Sequence, residues 1–196
     1  KLIAERLNMR LKFFECPFAR CMVLLEMGAV DVFIGLTYSD ARAEFLHFIE
    51  PSVADGSVQT FYARKGSETS IDSFADLNGQ IIGLTRFSLY FPEFDDATSF
   101  TKVPANSHLQ LINLLLNERI DAFIGSEQRL NYLLQEQGLT DTILQQNYTV
   151  RDDRKVYLAL SKRSEHSGLE ESFSKALRLI KSKGVFETPY TANYSE

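Results

Sequence analysis

One phrase occurs twice in this chain, as Gly28-Ala29-Val30-Asp31-Val32-Phe33-Ile34-Gly35 and as Asn117-Glu118-Arg119-Ile120-Asp121-Ala122-Phe123-Ile124-Gly125. Each copy follows an apolar, helix-like stretch, Met22 to Met27 in the first and Leu109 to Leu116 in the second. The repeated unit reads as a helix, a polar turn carrying an acid, and a buried strand. A chain of 196 residues is long enough to fold as two small lobes, and the repetition predicts two lobes of similar α/β build. Two lobes closing on a ligand give such a repeat a purpose that one enlarged core does not.

Charge and motif content narrow the function. The formal net charge is -5, and Lys and Arg are scattered rather than run together, which argues against nucleic acid and leaves a small anionic or zwitterionic ligand. No apolar run approaches the roughly 20 residues of a membrane helix, and no charged-then-apolar export segment opens the chain, so one was either removed or never existed. His47, His108 and His166 lack ligating neighbours at metal spacing, so no metal is expected. The nucleophile-elbow, zinc-protease, phosphate-loop and dinucleotide motifs are all absent, which predicts no cofactor and no catalysis. Only Glu15 or Glu127 would serve an enzyme of this scaffold as a catalytic acid. Asp31 and Asp121 read as structural acids accepting hydrogen bonds at the helix-to-strand turn. Cys16 and Cys21 are either bridged, which requires non-helical backbone between them, or two small buried thiols.

Along the chain, Leu2, Ile3 and Leu7 suggest the end of a helix, and Met9, Leu11 and Phe13 alternate as a strand does. Residues 18–27 look helical and lead into a strand from Val30 to Leu36, with Thr37 to Arg42 as the polar turn at its carboxyl end. In parallel sheets that end of a strand is where ligands bind. Gln59 to Ala63 and Val156 to Leu160 read as strands crossing between lobes. Ile71 to Leu77 suggests a short helix, and Gln80 to Leu84 a buried strand. Ser107 with Gln110 predicts a capping box, and Leu109, Ile112, Leu115 and Leu116 form the stripe behind it. In the last helix Leu169, Phe173, Ala176, Leu177 and Ile180 share a face, and Gly184 stops it. Phe14, Tyr38, Phe87 and Tyr90 are the aromatics expected near the cleft.

In order and spacing these segments resemble the bacterial extracellular solute-binding proteins of family 3, which serve polar amino-acid ABC importers. Gly28 to Arg42 followed by Phe48-Ile49-Glu50-Pro51 is similar to the family's G-x-x-D, T-x-T-x-x-R and F-x-[DE]-P passage. Asp76-Leu77-Asn78-Gly79-Gln80-Ile81-Ile82-Gly83 resembles its opening of the second lobe, and Leu115 to Ile124 its L-x-x-G-R-x-D-A-x-[IV]. The resemblance implies that Arg42 pairs with the ligand's α-carboxylate, with the hydroxyls of Thr37 and Ser39, beside Tyr38, completing the shell. The competing role for Arg42 is a surface ion pair with Glu44 or Glu50.

Three departures from the family pattern bear on the ligand. Where the family presents a glycine-rich G-T-G-S turn, this chain has Arg86-Phe87-Ser88-Leu89. Where it places an aspartate for the ligand's ammonium, this chain has Ser126 followed by Glu127, so Glu127 either substitutes or is an acid at a helix start. The family's opening strand and aromatic loop do not precede Lys1, so a strand-swapped dimer becomes an alternative to the expected monomer.

The resulting expectation is an α/β, two-lobed, type II periplasmic-binding fold. Each lobe has a mixed, mainly parallel sheet flanked by helices, with 1–57 and 160–196 in lobe one, 58–159 in lobe two, and two crossing strands between. The function implied is a periplasmic substrate-binding component that clamps a carboxylate-bearing solute, an amino acid or related organic anion, and delivers it to a membrane permease. The ligand set is Arg42, Thr37, Tyr38, Ser39 and Phe14 from lobe one, with Arg86, Phe87, Ser88, Ser126 and Glu127 from lobe two. The rival reading is a ligand-sensing input domain of a membrane signalling protein.

Overall fold

A computed structural model describes residues 1–184, so the end of the expected lobe-one segment, 185–196, lies outside the described residues. The first half of the chain forms α1 (Leu2–Arg6), α2 (Phe18–Met27), β1 (Val32–Thr37), α3 (Asp40–Ala43), β2 (Leu46–Arg64), β3 (Ile81–Thr85) and α4 (Pro92–Asp96). There follow β4 (Thr101–Ala105), α5 (His108–Leu116), β5 (Ala122–Ser126), α6 (Glu127–Glu136), β6 (Ile143–Ser161) and α7 (Glu170–Lys181). The hydrogen-bonded strand order is β1-β6-β2-β5-β3-β4. The chain divides into two compact units, one of Lys1–Cys16, Arg20–Asp55 and the chain from Arg154 onward, the other of Pro17–Ala19 and Gly56–Asp153.

In the first unit, β1 runs antiparallel to the end of β6, pairing Val32 with Leu160 and Ile34 with Leu158, and the register shifts after Ile34. Gly35, with φ +95°, is the residue at that irregularity. The core gathers Ile49, Leu158, Leu160, Phe173 and Leu177. Phe173, Ala176, Leu177 and Ile180 of α7 are buried as their spacing predicts, each large side chain contributing roughly 1.5–3 kcal/mol. Leu169 is the exception. It precedes the helix, closing a short 3₁₀ turn, and is 37% exposed. Gly28 adopts φ +75°, and a Cβ there would stand 2.7 Å from the carbonyl oxygen of Arg163, so only glycine fits this turn.

The expected strand at Met9 to Phe13 is irregular chain, and Leu11 and Phe13 are exposed. Alternation alone does not make a strand: a ladder partner is needed, and among the described residues no strand pairs with this segment. Cys16 and Cys21 are joined as a disulfide with Cα atoms 5.6 Å apart, which replaces the reading of two buried thiols. Cys16 lies in irregular backbone before α2, the condition such a bridge requires.

The second unit holds the parallel part of the sheet. Strand β3 pairs parallel with β4 and β5, while β2 runs antiparallel to β5, matching Phe61 with Ile124 and Tyr62 with Phe123. Side chains alternate between two cores, as a sheet covered on both faces demands. Phe61, Ala63, Ala122 and Ile124 join one cluster with Ile82, Phe94 and Phe100. Tyr62 and Phe123 join the other with Leu111, Leu115 and Leu130. At α5 the Ser107 hydroxyl accepts the Gln110 N–H at 3.2 Å, but the Gln110 side chain reaches back to the N–H of Asn106 rather than Ser107. The capping box is therefore only half formed.

Candidate functional site

Because β3, β4 and β5 run parallel, their carboxyl ends share one edge of the second unit's sheet. Helices α5 and α6 both start from that edge, and α4 follows the loop after β3. Four stretches meet along it: Thr85 to Ser88, Ala105 to His108, Ser126-Glu127, and Gln59, which pairs with Ser126. Of the expected site residues, Arg86, Phe87, Ser88, Ser126 and Glu127 thus lie on one edge.

Arg86 ties two strand ends together. Its backbone N–H donates to the Ala105 carbonyl at 2.8 Å, and its Nε donates to Asn106 Oδ1 at 3.3 Å. The Ser88 N–H closes a turn onto the Thr85 carbonyl at 3.0 Å, and Phe87 within it takes φ +64° and is 57% exposed. Thr85 is 2% exposed, and its Oγ1 makes no hydrogen bond. Tyr90, expected near the ligand, is instead buried in the core, where its hydroxyl accepts the Thr85 N–H at 2.8 Å. Its role is to pin the loop, and burial raises its pKa.

Ser126 and Glu127 open α6. The Ser126 side chain makes no capping bond, and Glu127 Oε1 accepts the Gln145 amide at 2.9 Å. Asn131 extends this network, its amide donating to Gln145 Oε1 at 3.3 Å while its Oδ1 accepts the buried Tyr62 hydroxyl at 2.7 Å. Burial, then the charge of Glu127, raises the Tyr62 pKa. His108 is a residue of this edge that the sequence reading dismissed. Burial, then the charge of Arg129, lowers its pKa from 6.5 to about 4, so it is neutral at pH 7. The available signal was its position, directly after the helix-capping Ser107 and so next to a strand end.

In the first unit, Thr37, Ser39 and Arg42 come together at the carboxyl end of β1. Ser39 caps α3 by accepting the Arg42 N–H at 3.3 Å, and Arg42 Nη1 donates to the Thr37 carbonyl at 2.6 Å. Arg42 is 7% exposed. The helical turn and the strand-end carbonyl together fix a guanidinium that the chain would otherwise leave to many rotamers. Tyr38 turns aside: its hydroxyl donates to Asp40 at 3.0 Å, which raises its pKa, and its ring meets Phe48 edge-on at 4.9 Å. Phe14 is exposed on the irregular segment before α2.

Each unit also has a recess, of about 410 Å³ beside Phe48, Glu50, Glu171 and Ser174, and of about 330 Å³ beside Tyr62, Asn131, Gln135 and Gln145. Neither is lined by an expected ligand residue. Among the described residues no group of three or more His, Cys, Asp or Glu is placed to hold a metal ion, and no helix is long and apolar enough to cross a membrane.

A family model, bacterial extracellular solute-binding proteins, family 3, matches residues 1–194. No curated protein matches the sequence. Among solved structures, an ancestral arginine-binding protein bound to arginine is similar at 21% identity and a TM-score of 0.81, over 100% of this chain and 85% of its own. An amino acid ABC transporter substrate-binding protein from Streptococcus pneumoniae, bound to L-arginine, is similar at 18% identity and 0.80, over 96% and 78%. A mutant of ArgBP from T. maritima is similar at 20% and 0.80, over 99% and 82%. At such identities the likeness is one of fold, and the fold is the type II periplasmic-binding one.

Proposed function

Because the chain belongs to the bacterial extracellular solute-binding proteins of family 3, we propose that it captures a free amino acid for an ABC importer, holding the α-carboxylate on Arg42. The observation that carries this reading is the fixed guanidinium: Arg42 is nearly buried at a strand's carboxyl end and held by Thr37. A planar cation set in one orientation before the ligand arrives loses little entropy on binding a carboxylate. Thr37 and Ser39, already tied to Arg42 through its side chain and its N–H, set the geometry of that anchor.

The second unit offers the complementary chemistry on its own edge. Glu127 Oε2 and the Ser126 hydroxyl have no hydrogen-bond partner among the described residues, and an α-ammonium group is what a carboxylate beside a hydroxyl receives. Arg86 and Ser88 border the same edge. Solved relatives of this fold hold arginine or glutamine. The Cys16–Cys21 bridge suits an oxidising compartment outside the cytoplasm, where an importer's capture protein works.

Isothermal calorimetry with L-arginine, L-glutamine and L-glutamate tests the proposal. At least one should bind, and Arg42→Ala should weaken it about 100-fold, the loss of a charge-assisted pair of about 3 kcal/mol. Unchanged affinity in a variant that still unfolds cooperatively would remove Arg42 as the anchor. Failure of every amino acid to bind the unmutated protein would remove the reading altogether.

A further inference from the structure

We infer that Gln145, Asn131 and Tyr62 are positioning residues for Glu127, a one-way chain of hydrogen bonds that holds one oxygen of its carboxylate and leaves the other for the α-ammonium group of a bound amino acid. The inference rests on the amino-acid reading above and deepens it. It needs the second unit alone, since all of these residues lie within Gly56–Asp153.

The carboxylate dictates the direction of the chain. It can only accept, so Gln145 must present its amide nitrogen, which donates to Glu127 Oε1 at 2.9 Å. Gln145 is left with its carbonyl oxygen, which accepts the Asn131 amide at 3.3 Å. Asn131 is then left with Oδ1, and the Tyr62 hydroxyl donates to it at 2.7 Å. Each amide is engaged at both ends, so reversing either one breaks its bonds on both sides. Tyr62 is 1% exposed, and burial, then the charge of Glu127, raises its pKa, so the proton that starts the chain stays on the phenol.

Separate elements supply the links. Tyr62 comes from β2 and Gln145 from β6, while Asn131 stands one turn after Glu127 on the same face of α6. The Tyr62 ring stacks on Phe123 at 5.6 Å, so the chain starts from the core. Asn131 and Gln145 are exposed, and hydrogen bonds open to water add little to folding stability. Both line the recess of about 330 Å³, which gives Gln145 room for other rotamers unless Asn131 holds it. What the bonds contribute is orientation. A glutamate side chain is rich in rotamers, and fixing it before the ligand arrives lowers the entropy lost on binding.

Calorimetry on the whole chain tests this with whichever of L-arginine, L-glutamine and L-glutamate binds tightest, comparing the unmutated protein, Gln145→Leu, Glu127→Gln and the double variant. Gln145→Leu should weaken binding about fivefold and Glu127→Gln about tenfold, with the double variant no weaker than Glu127→Gln alone. Asn131→Leu, one bond further from the carboxylate, should weaken it about threefold. In each variant Tm should move by less than about 2 °C. Losses that multiply in the double variant, or a Tm that falls much further, would make Gln145 a structural residue, and unchanged affinity in Gln145→Leu would make the chain idle. Any of these overturns the inference and leaves the amino-acid reading standing. Full affinity in Glu127→Gln would remove the ammonium's partner and this inference with it, and a protein that binds none of the amino acids loses the amino-acid reading as well.

Discussion

In the first copy of the repeated phrase the strand β1 stands at the margin of the strand order with β6 on one side, and Ile34 is 56% exposed. In the second copy β5 lies between β2 and β3, and Ile124, at the matching position, is fully buried. The turns agree more closely. Gly28 and Glu118 occupy the same place in the phrase with φ +75° and +56°, and each following aspartate accepts a hydrogen bond. Asp31 takes the Ser164 hydroxyl and Asp121 the Ile81 N–H at 2.6 Å. A short phrase therefore determines how a helix turns into a strand. How deeply that strand is buried depends on what pairs with its two sides, which the phrase does not contain.

The largest contrast should come from truncating the matched isoleucines. Ile124→Ala should cost about 3 kcal/mol in urea unfolding, whereas Ile34→Ala should stay within about 0.5 kcal/mol. Comparable costs would mean that β1 is buried in solution. Next comes acid. His108 Nε2 lies 3.6 Å from where a Cβ on Gly125 would stand, while nothing lies within 4 Å of the matching position on Gly35. The folded protein holds His108 neutral down to about pH 4, whereas the unfolded chain takes up the proton near 6.5. Stability should therefore be full above about pH 6.5 and fall on the order of 3 kcal/mol as pH drops toward 4, with His108→Gln flattening that slope.

Smaller effects test the turns. Gly28→Ala drives a methyl against the Arg163 carbonyl in a left-handed conformation and should cost about 2 kcal/mol by chemical denaturation. Glu118→Gly relieves similar strain but adds unfolded-state freedom and removes an exposed ion pair with Arg64, so it should change stability by less than about 0.5 kcal/mol. If both cost the same, the two turns are held alike and the contrast between them fails.

Periodicity revealed α2, α5 and α7 because one face of each meets a core. It concealed the length of β2, since Pro51 and Gly56 interrupt 19 continuous strand residues, and that of β6, where Arg151 to Lys155 puts charge in mid-strand. It missed β4, whose Lys102 and Pro104 break the strand pattern. It also offered Met9 to Phe13 as a strand, because alternation is a property of a segment and pairing is a property of a sheet. For the candidate site, the grouping of Thr37, Ser39 and Arg42 was legible because cap and anchor are three residues apart. The hold of Gln145 on Glu127, and the burial of Tyr90, depend on chain returning from elsewhere and left no local mark.

The division of the chain also sets an order of events during folding. Gly56–Asp153 is nearly the whole of the second unit, and both of its core clusters draw only on residues within that span. The first unit needs Leu158, Leu160, Phe173 and Leu177 to close over Ile49, so its parts Lys1–Cys16 and Arg20–Asp55 stay open until the part after Arg154 packs onto them. The segment Lys1–Cys16 is thus among the last to be secured. Its exposed phenylalanines, Phe13 and Phe14, are what a chaperone would meet in the interval.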